Sequence, residues 1–464
     1  VVNTTSRRVT ESLPVECWLN DSASLLTYGF DNSRRSGPVL AVALPESEAQ
    51  VQALVRACAA SHTPIVARGR GTATTGATVP LQPSVIVCFE RMQRILRMES
   101  GNRFAVVEPG LINGDLQRAL APLGFFWPPD PTSAAYSTIG GNLACNAGGP
   151  RTVKYGACRD NVLGLRVVSG SGEIITSGSF TTKGSVGYDL TRLLIGSEGT
   201  LGLITAATLK LCPLPQSRVA LRALYASIDA AAQAVARLMS QAHTPSALEF
   251  MDATAIRLVR QHAGIDLPDS ARAMLLIEAD GSSEALDSSV LAIMAAANGD
   301  GCVEIRRASS ATEALDLWAA RKALSPILRS LAPRKINEDV VVPVENLPEL
   351  VRGIEAAAAK NAILIVNFGH AGNGNLHVNL LFDPAEPGVA TRARSCLDEV
   401  VDCVIRLEGT ISGEHGIGID KRDFVSRAID PPTLALMRQI KASFDPAGIL
   451  NPGKIFPDET LQNR

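Results

Sequence analysis

Apolar residues recur at helical spacing through "SEAQVQALVRACAASH" (47–62), and the run that follows, "TPIVARG", is short and rich in β-branched residues. The first pattern predicts an amphipathic helix and the second a strand. "PSVIVCF" and "RFAVVEPG" read as further strands bounded by Pro and Gly, and strands alternate with helices as far as about Pro213. "CPLPQ" then punctuates the pattern. Beyond it, "SIDAAAQAVARLMSQA" (227–242) predicts an Ala-rich amphipathic helix, "ARAMLLIEADG" a strand and "SEALDSSVLAIMAAAN" another helix. "VENLPELVRGIEAAAAKNA" (344–362) predicts a helix leading into the strand "ILIVNFGH". This change of character marks a separate α+β domain of roughly 200 residues, a common domain size. There is no internal repeat.

Composition narrows the class. With 46% hydrophobic and 19% charged residues, the 464-residue chain is globular and long enough for two or more domains. A net charge of −2 with interspersed signs gives no basic stripe for nucleic acid and no acidic tail. Nine scattered cysteines without a C-x-x-C pair argue against a zinc ribbon, an iron–sulfur cluster and a thioredoxin-type motif, and fit a reducing compartment. No run of 18 apolar residues exists, and "VVNTTSRRVTESLPVECW" lacks a signal-peptide apolar region.

Two features carry chemistry. The first is a set of three glycine clusters, "ARGRGTATTG" (67–76), "PPDPTSAAYSTIGGNLACNAGG" (128–149) and "GSEGTLGLIT" (196–205). Glycines let backbone approach a ligand, and successive N–H groups cradle an anion such as a pyrophosphate. The first cluster is neither a dinucleotide G-x-G-x-x-G nor a Walker A loop. One such cluster reads as a turn; three suggest a large ligand held by backbone along its length.

The second is "NFGHAGNGNLHVN" (367–379). Asn373-Gly374 is a hairpin signal, and a hairpin brings His370 and His377 together at its loop. Alternation puts His377 and Asn379 on one face and Leu376, Val378 and Leu380 on the other. "ISGEHGIGIDK" (411–421) adds Glu414 and His415, so three of six histidines fall in these two segments. Two readings stand: half-buried histidines satisfied by backbone near turns, or two His and one carboxylate binding a divalent cation such as Zn²⁺ or Mn²⁺.

From "YGFDNSRR" (28–35) to "FDPAGILNPGKIF" (444–456), the ordered motifs resemble the FAD-linked D-2-hydroxyacid dehydrogenases. This group includes D-lactate and D-2-hydroxyglutarate dehydrogenases and the glycolate oxidase flavoprotein subunit, and its FAD domain is of the vanillyl-alcohol-oxidase and p-cresol-methylhydroxylase type. The resemblance implies an α+β fold: a two-part FAD-binding domain of that type plus an α+β cap domain with an antiparallel sheet. The divisions are an N-terminal segment 1–34, FAD-binding domain 35–214, substrate domain 215–410, and a segment 411–464 returning to the flavin.

By the same resemblance, Arg68, Gly69, Arg70, Gly71, Thr72 and Gly76 line the pyrophosphate loop. Pro129, Asp130, Gly140, Gly141, Asn142, Asn146 and Gly149 hold the flavin. Tyr155, Gly156, Glu198, Ile204 and Asn451 complete the cofactor pocket. His370, His377 and Glu414 become metal ligands and His415 the base. In "LWAARKALSPILRSLAPRKINEDVVVP" (317–343), Arg321 and Lys335 contact the substrate carboxylate, Ser325 shapes the pocket from one helical turn beyond Arg321, and Asn379 reaches the substrate. A carboxylate suits a planar bidentate donor and a second cation, whereas Lys322 and Arg329 read as a solvated basic face.

The chain departs from the family in having Arg70 where glycine is more usual, which adds charge beside the diphosphate. It has Asn373 where Asp is usual; both suit the turn. The loop has no histidine to tether FAD, so FAD is expected to bind non-covalently. The implied activity is oxidation of a short D-2-hydroxyacid such as D-lactate. D-2-hydroxyglutarate oxidation and a glycolate oxidase subunit stay open as alternatives. The implied electron acceptor is a quinone, a cytochrome, an electron-transfer flavoprotein or a partner subunit. A homodimer and a cytoplasmic location, including a peripheral one at the inner membrane, are compatible with this reading. Two rivals have no flavin-driven turnover: a metal-dependent hydrolase or lyase, and a non-catalytic subunit that binds flavin or metal.

Overall fold

The computed structural model describes residues 9–457; the first eight residues of the N-terminal segment and the last seven of the C-terminal one lie outside the described residues. The chain divides into two compact units. One comprises the chain up to Gly149, Gly156–Leu214 and the chain from Glu414 onward; the other comprises Pro150–Tyr155 and Pro215–Gly413.

Among the described residues the first unit holds two larger sheets and a two-stranded one, Phe125–Phe126 with Cys212–Pro213. In the four-stranded sheet, Val39–Ala43, Ser84–Cys88 and Ile65–Arg68 run parallel, and Trp18–Leu19 pairs antiparallel at one edge. Ile65–Arg68 is the other edge, and the returning C-terminal chain covers it: Ile65 N–H donates to Ile449 O (2.8 Å) and Asn451 N–H to Ile65 O (2.8 Å). Exposed strand edges invite wrong pairing, so this return also protects the sheet. The second sheet has five antiparallel strands in the order Ile95–Glu99, Phe104–Val107, Leu203–Lys210, Val162–Val168, Ile174–Gly178. Helix Glu48–Ala60 forms as the pattern predicts, starting from Ser47 and burying Val51, Leu54, Val55 and Cys58 against the core.

The second unit is built on one antiparallel sheet of seven strands. Their order is Cys302–Arg307, Ser217–Tyr225, Ala273–Gly281, Ala247–Met251, Leu364–His370, Asn375–Phe382, Arg334–Val341. Helices Ala253–Ala263 and Ala311–Leu331 pack on one face with Val366, Phe368 and Leu381. The helices expected at 227–242 and 344–362 are present as Ile228–Ser240 and Leu347–Asn361. This is the two-part fold with antiparallel sheets that the motifs imply. Among the described residues, no helix is long and apolar enough to cross a membrane.

The hairpin differs in detail from a two-residue Asn-Gly turn. A 3₁₀ turn, Ala371–Asn373, separates the strands, and only Gly374 takes a positive φ, 71°. A two-residue I′ turn needs positive φ at both central residues. A Cβ at Gly374 would collide with the Val342 carbonyl oxygen, so glycine is required there by space as well as by φ.

Asp252 locks this hairpin to its neighbour. One carboxylate oxygen caps the helix by accepting from Ala255 N–H (2.7 Å), and the other accepts from Asn367 N–H (2.8 Å) and Nδ2 (3.0 Å). Asp252→Ala removes a helix cap and leaves buried donors on Asn367 unsatisfied. The expected loss is roughly 2–4 kcal/mol in urea unfolding. A loss below about 0.5 kcal/mol, the range of neutral surface changes, would refute this anchoring role.

Candidate active site

Strand register assembles a polar patch on the sheet face that packs against helix Ala311–Leu331. Four strands contribute in rows. Glu249 lies opposite His370; Phe368 lies opposite His377, which lies opposite Asp339; Val366 lies opposite Asn379, which lies opposite Asn337; and Leu381 lies opposite Lys335. Side chains opposite one another on antiparallel strands share a face. Residues far apart in sequence therefore meet at one end of an otherwise apolar surface.

The geometry is specific. The rings of His370 and His377 lie 5.1 Å apart and nearly perpendicular, at 87°. Glu249, 1% exposed, pairs with His370 Nδ1 through one carboxylate oxygen and accepts from Arg321 Nε (2.8 Å) through the other. A carboxylate at Nδ1 favours the His370 tautomer protonated there, whose lone pair lies on Nε2, the nitrogen a cation would take. Burial pushes the Glu249 carboxyl up, but the facing His370 and Arg321 outweigh it and hold it below the usual carboxylate range. The Arg321 guanidinium also stacks 4.4 Å over the Phe368 ring.

Asp339, fully buried, lies 3.7 Å from His377 Nδ1. It accepts from Asn375 Nδ2 (2.7 Å) and from Gly413 N–H (2.8 Å). Gly413 is thus pinned beside this row, and Glu414 follows it in the chain. Asn379 donates from Nδ2 to Val366 O (3.1 Å) and His377 O (3.0 Å), while its buried Oδ1 has no hydrogen-bond partner. The buried Oδ1 of Asn337, in the same row, also has none. Ser325 and Lys335 are half-buried, whereas Lys322 and Arg329 are exposed.

Sequence reading missed Glu249, Asp339 and Asn337. A signal existed for the two acids. Glu249 interrupts the buried run "ALEFM", and Asp339 precedes "VVVP". An acid inside an apolar strand is costly unless paired. Which partners pair with it depends on register across four strands.

In the first unit the glycine clusters pack directly on one another. A Cβ on Gly69 would collide with the Thr138 hydroxyl, and one on Gly140 would lie 2.6 Å from Pro109 Cβ. Thr138 caps helix Ile139–Cys145 by accepting from Gly141 N–H (3.1 Å), and Gly140 N–H donates to Pro109 O (2.8 Å). Arg68 runs beneath Gly71 and donates to Phe30 O (2.6 Å), while Arg70 is exposed and 3.5 Å from Glu90. Thr72 is half-buried and Gly76 buried. Pro129 O accepts from Asn113 Nδ2 (3.0 Å), and Gly149 backs onto Asp130. Asn146 Oδ1 accepts from Arg159 N–H (2.9 Å), and Gly156 O from Asn161 Nδ2 (3.2 Å). Ile204 is buried. Tyr155 belongs to the second unit, where its hydroxyl donates to Asp280 (2.9 Å). The buried Nδ2 of Asn142 and hydroxyl of Ser137 have no hydrogen-bond partner, which fits polar groups set to meet a bound cofactor.

The Glu-His loop is tied to the same clusters. Glu198 accepts from Ile417 N–H (2.6 Å) and Gly418 N–H (2.8 Å). Thr75 Oγ1 donates to His415 O (3.3 Å), and Thr75 O accepts from Ile419 N–H (2.8 Å). Asn451 donates to Ala77 O (2.9 Å) and Glu198 O (2.7 Å). Lys454 donates to Val79 O (2.6 Å) and Asn451 Oδ1 (3.2 Å); burial pushes its ammonium down to about 8, opposed by Glu198 and Asp31.

A glycine-lined cofactor fold joined in one chain to an antiparallel-sheet domain defines the class: a flavin-dependent oxidoreductase. The chain belongs to the FAD-linked oxidases; the FAD binding domain model matches residues 39–178 and the C-terminal domain model of FAD linked oxidases matches residues 214–455. It is 40% identical to the glycolate oxidase subunit GlcD of Bacillus subtilis (strain 168), over 94% of this chain and 93% of that protein. It is 33% identical to a D-lactate dehydrogenase of Anaerostipes hadrus, over 88% of each chain. It is also 33% identical to a D-2-hydroxyglutarate dehydrogenase of Stutzerimonas stutzeri (strain A1501), over 94% of this chain and 96% of that one. p-Cresol methylhydroxylase with substrate bound shares the fold, with a TM-score of 0.81 at 17% identity over 100% of this chain and 98% of that one.

Proposed function

We propose that the protein oxidises a short D-2-hydroxyacid, D-lactate or a close analogue, to the 2-oxoacid, using non-covalently bound FAD and a divalent cation, Zn²⁺ or Mn²⁺. The observation carrying this reading is the buried row Glu249–His370 beside His377–Asp339, with Arg321 over Phe368. His370, His377 and Glu414 would hold the cation. Bound FAD supplies a two-electron acceptor, and the cation supplies Lewis acidity at the substrate hydroxyl.

The chain's own residues divide the remaining work. Arg321 and Lys335 bind the substrate carboxylate, Arg321 through a planar pair of N–H groups. Ser325 bounds the pocket, and Asn379 offers its Oδ1 as an acceptor. His415 takes the hydroxyl proton, general-base help worth roughly 10²–10⁴-fold. Thr75 and Glu198 hold the loop that carries His415. Arg68, Gly69, Arg70, Gly71, Thr72 and Gly76 receive the diphosphate. Pro129, Asp130, Gly140, Gly141, Asn142, Asn146, Gly149, Tyr155, Gly156, Glu198, Ile204 and Asn451 complete the cofactor site. The acceptor that reoxidises the enzyme is external and not a nicotinamide: a quinone, a cytochrome, an electron-transfer flavoprotein or a partner subunit, for a cytoplasmic or membrane-peripheral enzyme.

Anaerobic mixing with a panel of 2-hydroxyacids tests the reading. Oxidised-flavin absorbance is expected to disappear with D-lactate and to persist with L-lactate. Faster bleaching by D-2-hydroxyglutarate or glycolate would move the assignment to that substrate. An unbleached flavin across the whole D-panel would sink it.

A further inference from the structure

Glu249 is a deeply buried charge at the patch, and both its carboxylate oxygens are engaged by groups given different tasks in the proposed function. One faces His370 Nδ1, on the cation-binding side; the other accepts from Arg321 Nε (2.8 Å), on the substrate side. Neither contact is a rim ion pair: Glu249 is 1% exposed and Arg321 13% exposed in their side chains. The strand fixes the carboxylate, because Leu248 and Phe250 on either side of it are buried in the core.

We infer that Glu249 is a positioning residue that couples the cation-binding half of the site to the carboxylate-binding half. The inference rests on the proposed metal and substrate reading. A carboxylate at Nδ1 keeps the proton on that nitrogen and so puts the ring's lone pair on Nε2, the atom that would ligate a cation. The same carboxylate occupies the Nε edge of Arg321 and leaves the two Nη groups to face a substrate carboxylate bidentately. It also places a buried negative charge opposite the guanidinium that stacks on Phe368. A shift of this one side chain displaces ligand and clamp together.

The test uses the full-length, FAD-loaded protein and the substitution Glu249→Gln, which keeps the volume but presents an NH₂ to one of two donors. Zn²⁺ and Mn²⁺ affinities are measured by competition with a chromophoric chelator, and pyruvate affinity by flavin spectral perturbation. Metal affinity is expected to fall roughly 10–100-fold, the usual cost of losing a carboxylate behind a ligating histidine. Pyruvate binding should weaken with it, while the thermal midpoint and flavin spectrum stay near those of the wild type. A folded Glu249→Gln protein that binds metal and pyruvate within twofold of the wild type overturns the inference.

Should that variant not fold, wild-type protein labelled with ¹⁵N-histidine gives the answer. The inference requires the His370 ring proton on Nδ1, and a proton on Nε2 refutes it. Wild-type protein that binds neither metal overturns the metal reading itself. That outcome is distinct from a metal-binding wild type whose Glu249→Gln variant binds equally well.

Discussion

His377→Gln is expected to lower bound Zn²⁺ or Mn²⁺ from about one per chain to near none. It should cut kcat/KM by on the order of 10³-fold, because a Lewis-acid cation contributes several kcal/mol at about 1.4 kcal/mol per tenfold. Glutamine fills the space of the imidazole but is a poor ligand for these metals, so the change removes coordination rather than packing. His377 is 6% exposed and packed between Phe368 and Asp339 in its row, so a smaller residue would open a cavity and confuse the result. The glycine clusters proposed to receive FAD belong to the other unit, so the flavin spectrum should persist. Metal analysis with steady-state kinetics decides the matter, with chelator-treated wild type matching the variant and regaining activity on adding back the cation. A variant that keeps its metal, or full activity without metal, would remove His377 from the ligand set.

Gly69→Val should yield protein that loses its yellow colour on gel filtration, with FAD affinity lowered roughly 10–100-fold. The cause is steric. A Cβ at Gly69 collides with the Thr138 hydroxyl, and Thr138 is the cap of Ile139–Cys145. Either the first glycine loop moves out or the cap is lost. Overpacking costs about 1–3 kcal/mol and a cap about 1 kcal/mol, the same scale as the expected loss of binding. Gly101→Val is the matched control, because a Cβ there meets nothing within 4 Å. The flavin-to-protein absorbance ratio is the measurement. A Gly69→Val protein with a full complement of FAD would show that the two clusters can separate without harm to the cofactor.

Much of this was legible in the chain itself. Ser47 and Ser227 precede apolar runs at helical spacing, and helices begin after both. The strands around "FGHAGNGNLHVN" form where β-branched and apolar residues alternate. The turn between them was legible only in part. Gly374 is required, but the connection is a 3₁₀ turn rather than two residues, because Asn373 keeps a negative φ. Motif order also identified the family, since the glycine clusters are short-range features whose spacing survives in sequence.

What the sequence determined by itself is therefore local and chemical: helices and strands set by periodicity, glycines demanded by turns and close approach, and the residue types a flavin and a hydroxyacid need. What only the tertiary structure decided is which of these meet. Glu249 stands more than 120 residues before His370 and 72 residues before Arg321. No local pattern encodes that a strand register puts His370 opposite Glu249, or Asp339 opposite His377. Pairing across a sheet is fixed by the burial of whole faces, and a slip of one residue would send every one of these side chains to the opposite face.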